Sequence, residues 1–155
     1  MKNIGISIII PHYEDHLNLQ NLVKSIISQK SFFISDEVLI IDDCSKNKPL
    51  IKYKKNVKII NLKKNLGPGN ARNIGIKKSK NKIIFFLDSD TVLHQGSIKE
   101  IKKHYAKKNC EPILNGHCSL TPIETNTFKE FKSIIEYDWY LSSIKDNGSK
   151  ILNTR

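Results

Sequence analysis

The stretch Ile83-Ile84-Phe85-Phe86-Leu87-Asp88-Ser89-Asp90 constrains this chain more than any other. An unbroken run of five large apolar residues ends abruptly in two carboxylates one residue apart. Such a run reads as a strand buried on both faces. Side chains alternate along a strand, so Asp88 and Asp90 point the same way if the extended conformation persists to the strand end. Two carboxylates held that close repel each other unless something positive sits between them. The chemistry points to a divalent, oxygen-loving cation such as Mg²⁺ or Mn²⁺, with phosphate oxygens as its other ligands. The plain alternative is a turn in which both Asp are solvated or cap the following helix.

At 155 residues the chain reads as a single domain, 1–155, with room for a core of useful size. Its apolar runs are far shorter than a membrane span. The N-terminal segment lacks a small-residue cleavage site and runs into Pro11-His12-Tyr13-Glu14-Asp15, so it does not read as a signal peptide. Three scattered cysteines, Cys44, Cys110 and Cys118, argue against a disulfide framework and for a reducing, cytoplasmic setting. Cys110, His117 and Cys118 lack the paired spacing of a zinc site.

The net charge of +11 is almost all lysine; Arg72 and Arg155 are the two arginines. Sequence-specific nucleic-acid readers rely on arginine forks, and single-strand binders interleave aromatics with charge. Neither pattern is present, so no nucleic-acid partner is expected. The lysines read first as a solvated surface. Their second reading is attraction to a polyanionic substrate or to anionic headgroups, which would be a peripheral association with the inner face of the membrane.

The chain alternates strand and helix signals. Strands are expected at Ile4–Ile10, Glu37–Ile41, Val57–Leu62 and Lys82–Leu87, with a weaker one at Ile113–Asn115. Leu19, Leu22, Val23, Ile26 and Ile27 have helical spacing. Gly67-Pro68-Gly69 opens a helix carrying Ala71, Ile74, Gly75 and Lys78 on one face. Ile98, Ile101 and Tyr105 space as a further helix, and Phe128, Phe131, Ile135 and Trp139 as a last one. This order predicts an α/β fold, a mostly parallel sheet with helices on both faces. Ligands of such sheets sit beyond the carboxyl ends of the strands, where this sequence concentrates its unusual polar residues.

Each strand end has its own chemistry. Pro11 is expected to stop the first strand, leaving Tyr13 exposed to stack on a planar base or to cover the sheet edge. A carboxylate at Asp42-Asp43 can accept a hydrogen bond from a ring N–H, which separates the uracil imide from cytosine. Asp42 or Ser45 is expected to cap the next segment. The Gly67 turn and Arg72 can bring backbone N–H groups and a guanidinium to phosphates, or form an ordinary helix start with a surface arginine.

Four segments in this order resemble the nucleotide-binding half of the family 2 inverting glycosyltransferases of GT-A fold. They are Ser7-Ile8-Ile9-Ile10-Pro11-His12-Tyr13-Glu14, Ile40-Ile41-Asp42-Asp43-Cys44-Ser45, residues 65–76 around Gly67-Pro68-Gly69-Asn70-Ala71-Arg72, and Phe86-Leu87-Asp88-Ser89-Asp90. The resemblance implies a Rossmann-like donor core over about 1–95 and the start of an acceptor-side region over 96–155. It implies a nucleotide-sugar donor, usually a UDP-sugar, held by Pro11, Tyr13, Glu14, Asp43, Gly67, Arg72, Asp88 and Ser89. Asp90 would bind Mn²⁺ or Mg²⁺ bridging the diphosphate, and the acceptor would be a glycan or a lipid-linked glycan of cell-surface polysaccharide synthesis. The family's general base lies well downstream, so the chain is expected to be truncated before its acceptor half. Of the late carboxylates, Glu136 and Asp138 read better as the polar face of the last helix, with Asp146 beyond them.

Three rivals compete. Asp88-Ser89-Asp90-Thr91 resembles the nucleophile loop of haloacid dehalogenase-type phosphatases, but that loop normally follows the first strand. A dinucleotide fold would place its glycines after the first strand, where Pro-His-Tyr-Glu-Asp stands. A nucleotide-sugar-binding module without turnover is the third.

Overall fold

A computed structural model describes residues 4–51, 56–110 and 113. The expected strand at 113–115, the last helix and Glu136, Asp138 and Asp146 lie outside the described residues. The elements are β1 (Ile6–His12), α1 (His16–Ile27), β2 (Glu37–Asp42), β3 (Val57–Asn61), α2 (Pro68–Lys78), β4 (Ile83–Phe86) and α3 (Ser97–Tyr105), all within the compact unit that ends at Cys110.

The four strands form one parallel sheet in the order β3-β2-β1-β4. Strand alternation sorts the core onto two faces. Ile6, Ile8 and Ile10 of β1 join Val38 and Ile40 of β2 against Leu19, Leu22, Val23 and Ile26 of α1 and Ile98 of α3. Ile9, Leu39 and Ile41 face the other way, against Ala71 of α2. The apolar stripe of α1 is the one its spacing predicts, with Ile27 at its half-buried margin.

Two expectations need correction. Pro11 does not end the first strand: β1 continues to His12, and Pro11 pairs in register with Ile41. Backbone groups of a strand alternate between its two neighbours. Ile9 O accepts from Leu87 N on the β4 side, and His12 O accepts from Asp43 N on the β2 side. The missing N–H of Pro11 therefore faces the β4 side, past the last β1–β4 pair at Ile9–Phe86, and costs no ladder bond. The second correction concerns β4, which is not fully buried. Ile83, Phe85 and Leu87 pack toward α1 and α3, and Ile84 toward α2. β4 is the edge of the described sheet, however, and Phe86 is 41% exposed.

Where the strands begin, buried acids tie the chain together. Glu37 Oε1 accepts from Ser7 Oγ (2.7 Å) and from Lys80 N (2.7 Å), fixing the α2–β4 connection against β1 and β2. Asp36 accepts from Ile6 N (3.0 Å), Phe33 N (2.7 Å) and Lys102 Nζ (2.7 Å).

Helix α2 approaches the sheet through Gly75, where an added Cβ would collide with Ile9 Cγ2. Gly69, in the first turn of the same helix, has open space around it. Gly75→Ala is expected to lower the denaturation midpoint, because overpacking of about 1–3 kcal/mol outweighs a helix-propensity gain of roughly 1 kcal/mol. Gly69→Ala should be neutral or stabilising. Equal stabilisation by both substitutions in urea titrations would show that the α2–β1 approach is not limiting.

Candidate functional site

The strand order changes direction between β1 and β4: β2 and β3 extend the sheet on one side, and the chain then returns through α2 to place β4 on the other. Such a switch point opens a crevice at the carboxyl ends of the strands. Here it is a cleft of about 440 Å³ lined by Pro11, His12, Tyr13, Asp15, Asp43, Pro68, Arg72, Asp88, Ser89 and Asp90. Of the residues expected to bind a ligand, Pro11, Tyr13, Asp43, Arg72, Asp88, Ser89 and Asp90 meet there, and Glu14 and Gly67 do not.

Glu14 has a left-handed backbone (φ 57°) and does not line the cleft. Its N–H donates to Ser45 Oγ (2.9 Å) and its carboxylate accepts from Lys46 N (2.5 Å), so it staples the β1 loop to the β2 loop. Gly67 (φ 82°) opens α2 as expected, but its N–H is directed at a protein group rather than at the cleft. Asp43 Oδ1 accepts from Leu66 N (2.8 Å) and Oδ2 from Gly67 N (2.7 Å). Asp43 is thus a nearly buried clamp on the start of α2 that still borders the cleft. Asp42 plays the capping role, accepting from Ser45 N (3.3 Å) and Ser45 Oγ (2.5 Å).

Arg72 lies on the first turns of α2 and ion-pairs with Asp88 across the cleft. The sheet conformation ends at Phe86, and Thr91 N (3.1 Å) and Thr91 Oγ1 (2.7 Å) both bond back to Asp88 O. The Asp-Ser-Asp segment is therefore a turn, and the alternation that would have aligned Asp88 with Asp90 does not reach it. Asp90 is exposed and makes no hydrogen bond or ion pair among the described residues. No cluster of three or more metal-ligating side chains exists among the described residues. A hard cation of the Mg²⁺ type would find its carboxylate ligand in Asp90 and would need phosphate oxygens and water for the rest of its shell.

His12, Asp15 and Pro68 also line the cleft, although none of them was expected to bind a ligand, and His16 adjoins His12. His12 is buried, with Nε2 3.1 Å from His16 Nδ1 and 4.0 Å from Asp42 Oδ1. Burial pushes the His12 pKa below its usual value; His16 adds to this, while Asp42, Asp15 and Glu14 oppose it. His12 Nδ1 and His16 Nε2 are buried and have no partner among the described residues. The only sequence signal was an i, i+4 histidine pair, and it straddles a strand end and a helix start.

The family model of glycosyl transferase family 2 matches residues 7–114, and the chain belongs to this family. Its fold is the GT-A fold of glycosyltransferases. Among curated relatives, the poly(ribitol-phosphate) beta-N-acetylglucosaminyltransferase TarP of Staphylococcus aureus (strain N315) is 33% identical over 72% of this chain and 36% of the relative. TarS of S. aureus (strain Mu50 / ATCC 700699), of the same description, is 30% identical over 70% of this chain and 20% of its own length. The crystal structure of S. aureus TarS 1-349 in complex with UDP-GlcNAc superposes with a TM-score of 0.59 at 29% identity, over 66% of this chain and 32% of that one. The chain thus spans well under half of these relatives. Family membership removes the phosphatase reading of Asp88 and Asp90, and Asp88 follows the fourth strand rather than the first.

The pH dependence of stability follows from His12. Its folded pKa is depressed, so the fold favours the neutral ring. That contribution is complete above the unfolded value of about 6.5 and is lost as pH falls through the folded value. Urea midpoints should therefore drop between pH 7.5 and pH 5.5, and drop less in His12→Phe. An unchanged slope in the variant would remove His12 as the cause.

Proposed function

We propose that this chain is the donor-binding part of an inverting glycosyltransferase that takes a UDP-sugar, with UDP-N-acetylglucosamine the first candidate, and uses Mn²⁺ or Mg²⁺. The observation that carries the proposal is the cleft itself. It gathers Tyr13, Asp43, Arg72, Asp88 and Asp90 at the β1–β4 switch point of a family 2 chain, and a similar solved structure is a complex with UDP-GlcNAc.

In this reading Tyr13, half exposed at the mouth, stacks on the base, and Pro11 forms the wall behind it. Each Asp43 oxygen accepts one backbone N–H and keeps a second lone pair. Asp43 can therefore accept the uracil N3–H while still clamping α2. Cytosine, with an acceptor at N3, would face a carboxylate without a proton between them. Asp88, oriented by Arg72, lies where the ribose would follow the base, with Ser89 beside it. Arg72, which pairs with Asp88 here, would turn toward the diphosphate. Asp90 would hold the metal, which when bound supplies Lewis-acid neutralisation of the departing nucleotide diphosphate. The acceptor is a glycan or lipid-linked glycan, and the base that deprotonates it is assigned to no described residue.

Calorimetry tests both halves of the donor site. UDP should be preferred over CDP, and Asp43→Asn should shrink that preference by about tenfold or more, from a charge-assisted bond worth roughly 1.5–3 kcal/mol. Loosening of the α2 start alone would weaken both nucleotides alike and leave the ratio intact. Mn²⁺ should tighten UDP binding in the wild type, and Asp90→Ala should weaken metal-supported binding about tenfold, or roughly 1.4 kcal/mol. Equal UDP affinity with and without Mn²⁺ in both proteins would sink the metal assignment.

A further inference from the structure

The end of the sheet where the strands begin differs sharply from the cleft end. The connection between α1 and β2 presents Phe33 and Ile34 to solvent, 48% and 73% exposed. Three hydrogen bonds gather other elements around it. Asn56, just before β3, donates from Nδ2 to Phe33 O (3.1 Å), and Asn81, just before β4, donates from Nδ2 to Ser35 O (3.1 Å). Lys102 of α3 donates to Ser31 O (2.9 Å) and sits 4.4 Å above the Phe33 ring. Lys30 lies on the same loop, Lys77 and Lys78 close α2, and Lys80 and Lys82 flank Asn81 in the connection to β4 that Asn81 ties to Ser35; all five are exposed. The acids of these segments, Asp36 and Glu37, are buried and face inward. Segments 28–37 and 76–83 thus show no exposed carboxylate, whereas the opposite end carries Glu14, Asp15, Asp43, Asp88 and Asp90.

We infer that this end is a docking surface for an anionic lipid bilayer, with Phe33 and Ile34 entering the interface and the lysines meeting headgroup phosphates. Charge complementarity selects an anionic partner. The apolar tip selects a bilayer over a nucleic acid: Lys102 already sits over one face of the Phe33 ring, Ile34 has no π-face on which to stack a base, and no arginine is present in either segment. The orientation follows from the topology. β1 runs seven residues from this end to the cleft, so docking holds the cleft about 20 Å above the headgroups, at about 3.3 Å per residue, open to water. The inference does not depend on which nucleotide the cleft takes.

Co-sedimentation of the full chain with vesicles tests it. Binding should require anionic lipid, appearing with phosphatidylcholine/phosphatidylglycerol vesicles and not with phosphatidylcholine alone. Lys80→Glu with Lys82→Glu should lower the partition coefficient at least about 25-fold, from about fivefold per lysine. Lys63→Glu with Lys64→Glu makes the same charge change just beyond β3 at the cleft end, and should cost much less. Ile34→Ser should cost several-fold without changing charge. Circular dichroism reports folding and calorimetry reports UDP binding, so a folded wild type that binds no UDP would leave the vesicle result standing. Equal losses from the two lysine pairs, binding indifferent to anionic lipid, or an unchanged Ile34→Ser would overturn the inference. So would a single-stranded oligonucleotide bound more tightly than the vesicles through the same lysines.

Discussion

The cleft depends on one carboxylate that is almost wholly buried in its wall. Asp43, at the end of β2, takes the backbone N–H groups of both Leu66 and Gly67. Burying an ionised side chain is costly unless charge-assisted hydrogen bonds offset the lost hydration, and two well-aligned amides do so here. The pair fixes where α2 starts. That position sets Arg72 within reach of Asp88, and the ion pair in turn restrains the Asp-Ser-Asp turn beside the end of β1. The ends of β2 and β4 are thus linked in series through α2. A change at Asp43 should be felt at Asp88, with no direct contact between the two needed.

How much of this was legible depended on how local the cause was. The stripe of α1 and the two-faced burial of β1 and β2 follow from side-chain spacing, and the parallel order follows from alternation. Six of the seven expected cleft residues cluster at strand ends, and Arg72 joins them from the first turns of α2. Pro11 was misjudged because its lost N–H matters only if a neighbouring strand needs it, and the sequence does not show where β4 stops pairing. Asp88 and Asp90 were assigned a common direction by a strand rule that expires at Phe86.

Glu14 and Gly67 show a different limit. Both stand in the expected motif segments, yet their polar groups are used within the protein, by Lys46 N and by Asp43. Motif membership identified the neighbourhood, while direction depended on backbone angles that spacing does not encode. The His12–His16 contact likewise arises only because the loop after β1 folds α1 back beneath the cleft. Residues 10–16 therefore carry more of the site than their resemblance alone suggested.

The tight approach of α2 to β1 has an evolutionary consequence. Gly75 and Ile9 share a volume that leaves no room for one more carbon on the helix. The two positions are consequently not free to drift independently. A lineage that acquires alanine at 75 should lose the β-branch at 9, because Ile9 Cγ2 is the colliding atom and valine would keep it, and one that keeps a β-branched strand residue should retain glycine on the helix. Such reciprocal exchange would mark the sheet–helix spacing as inherited in its own right, whatever becomes of the polar groups above it.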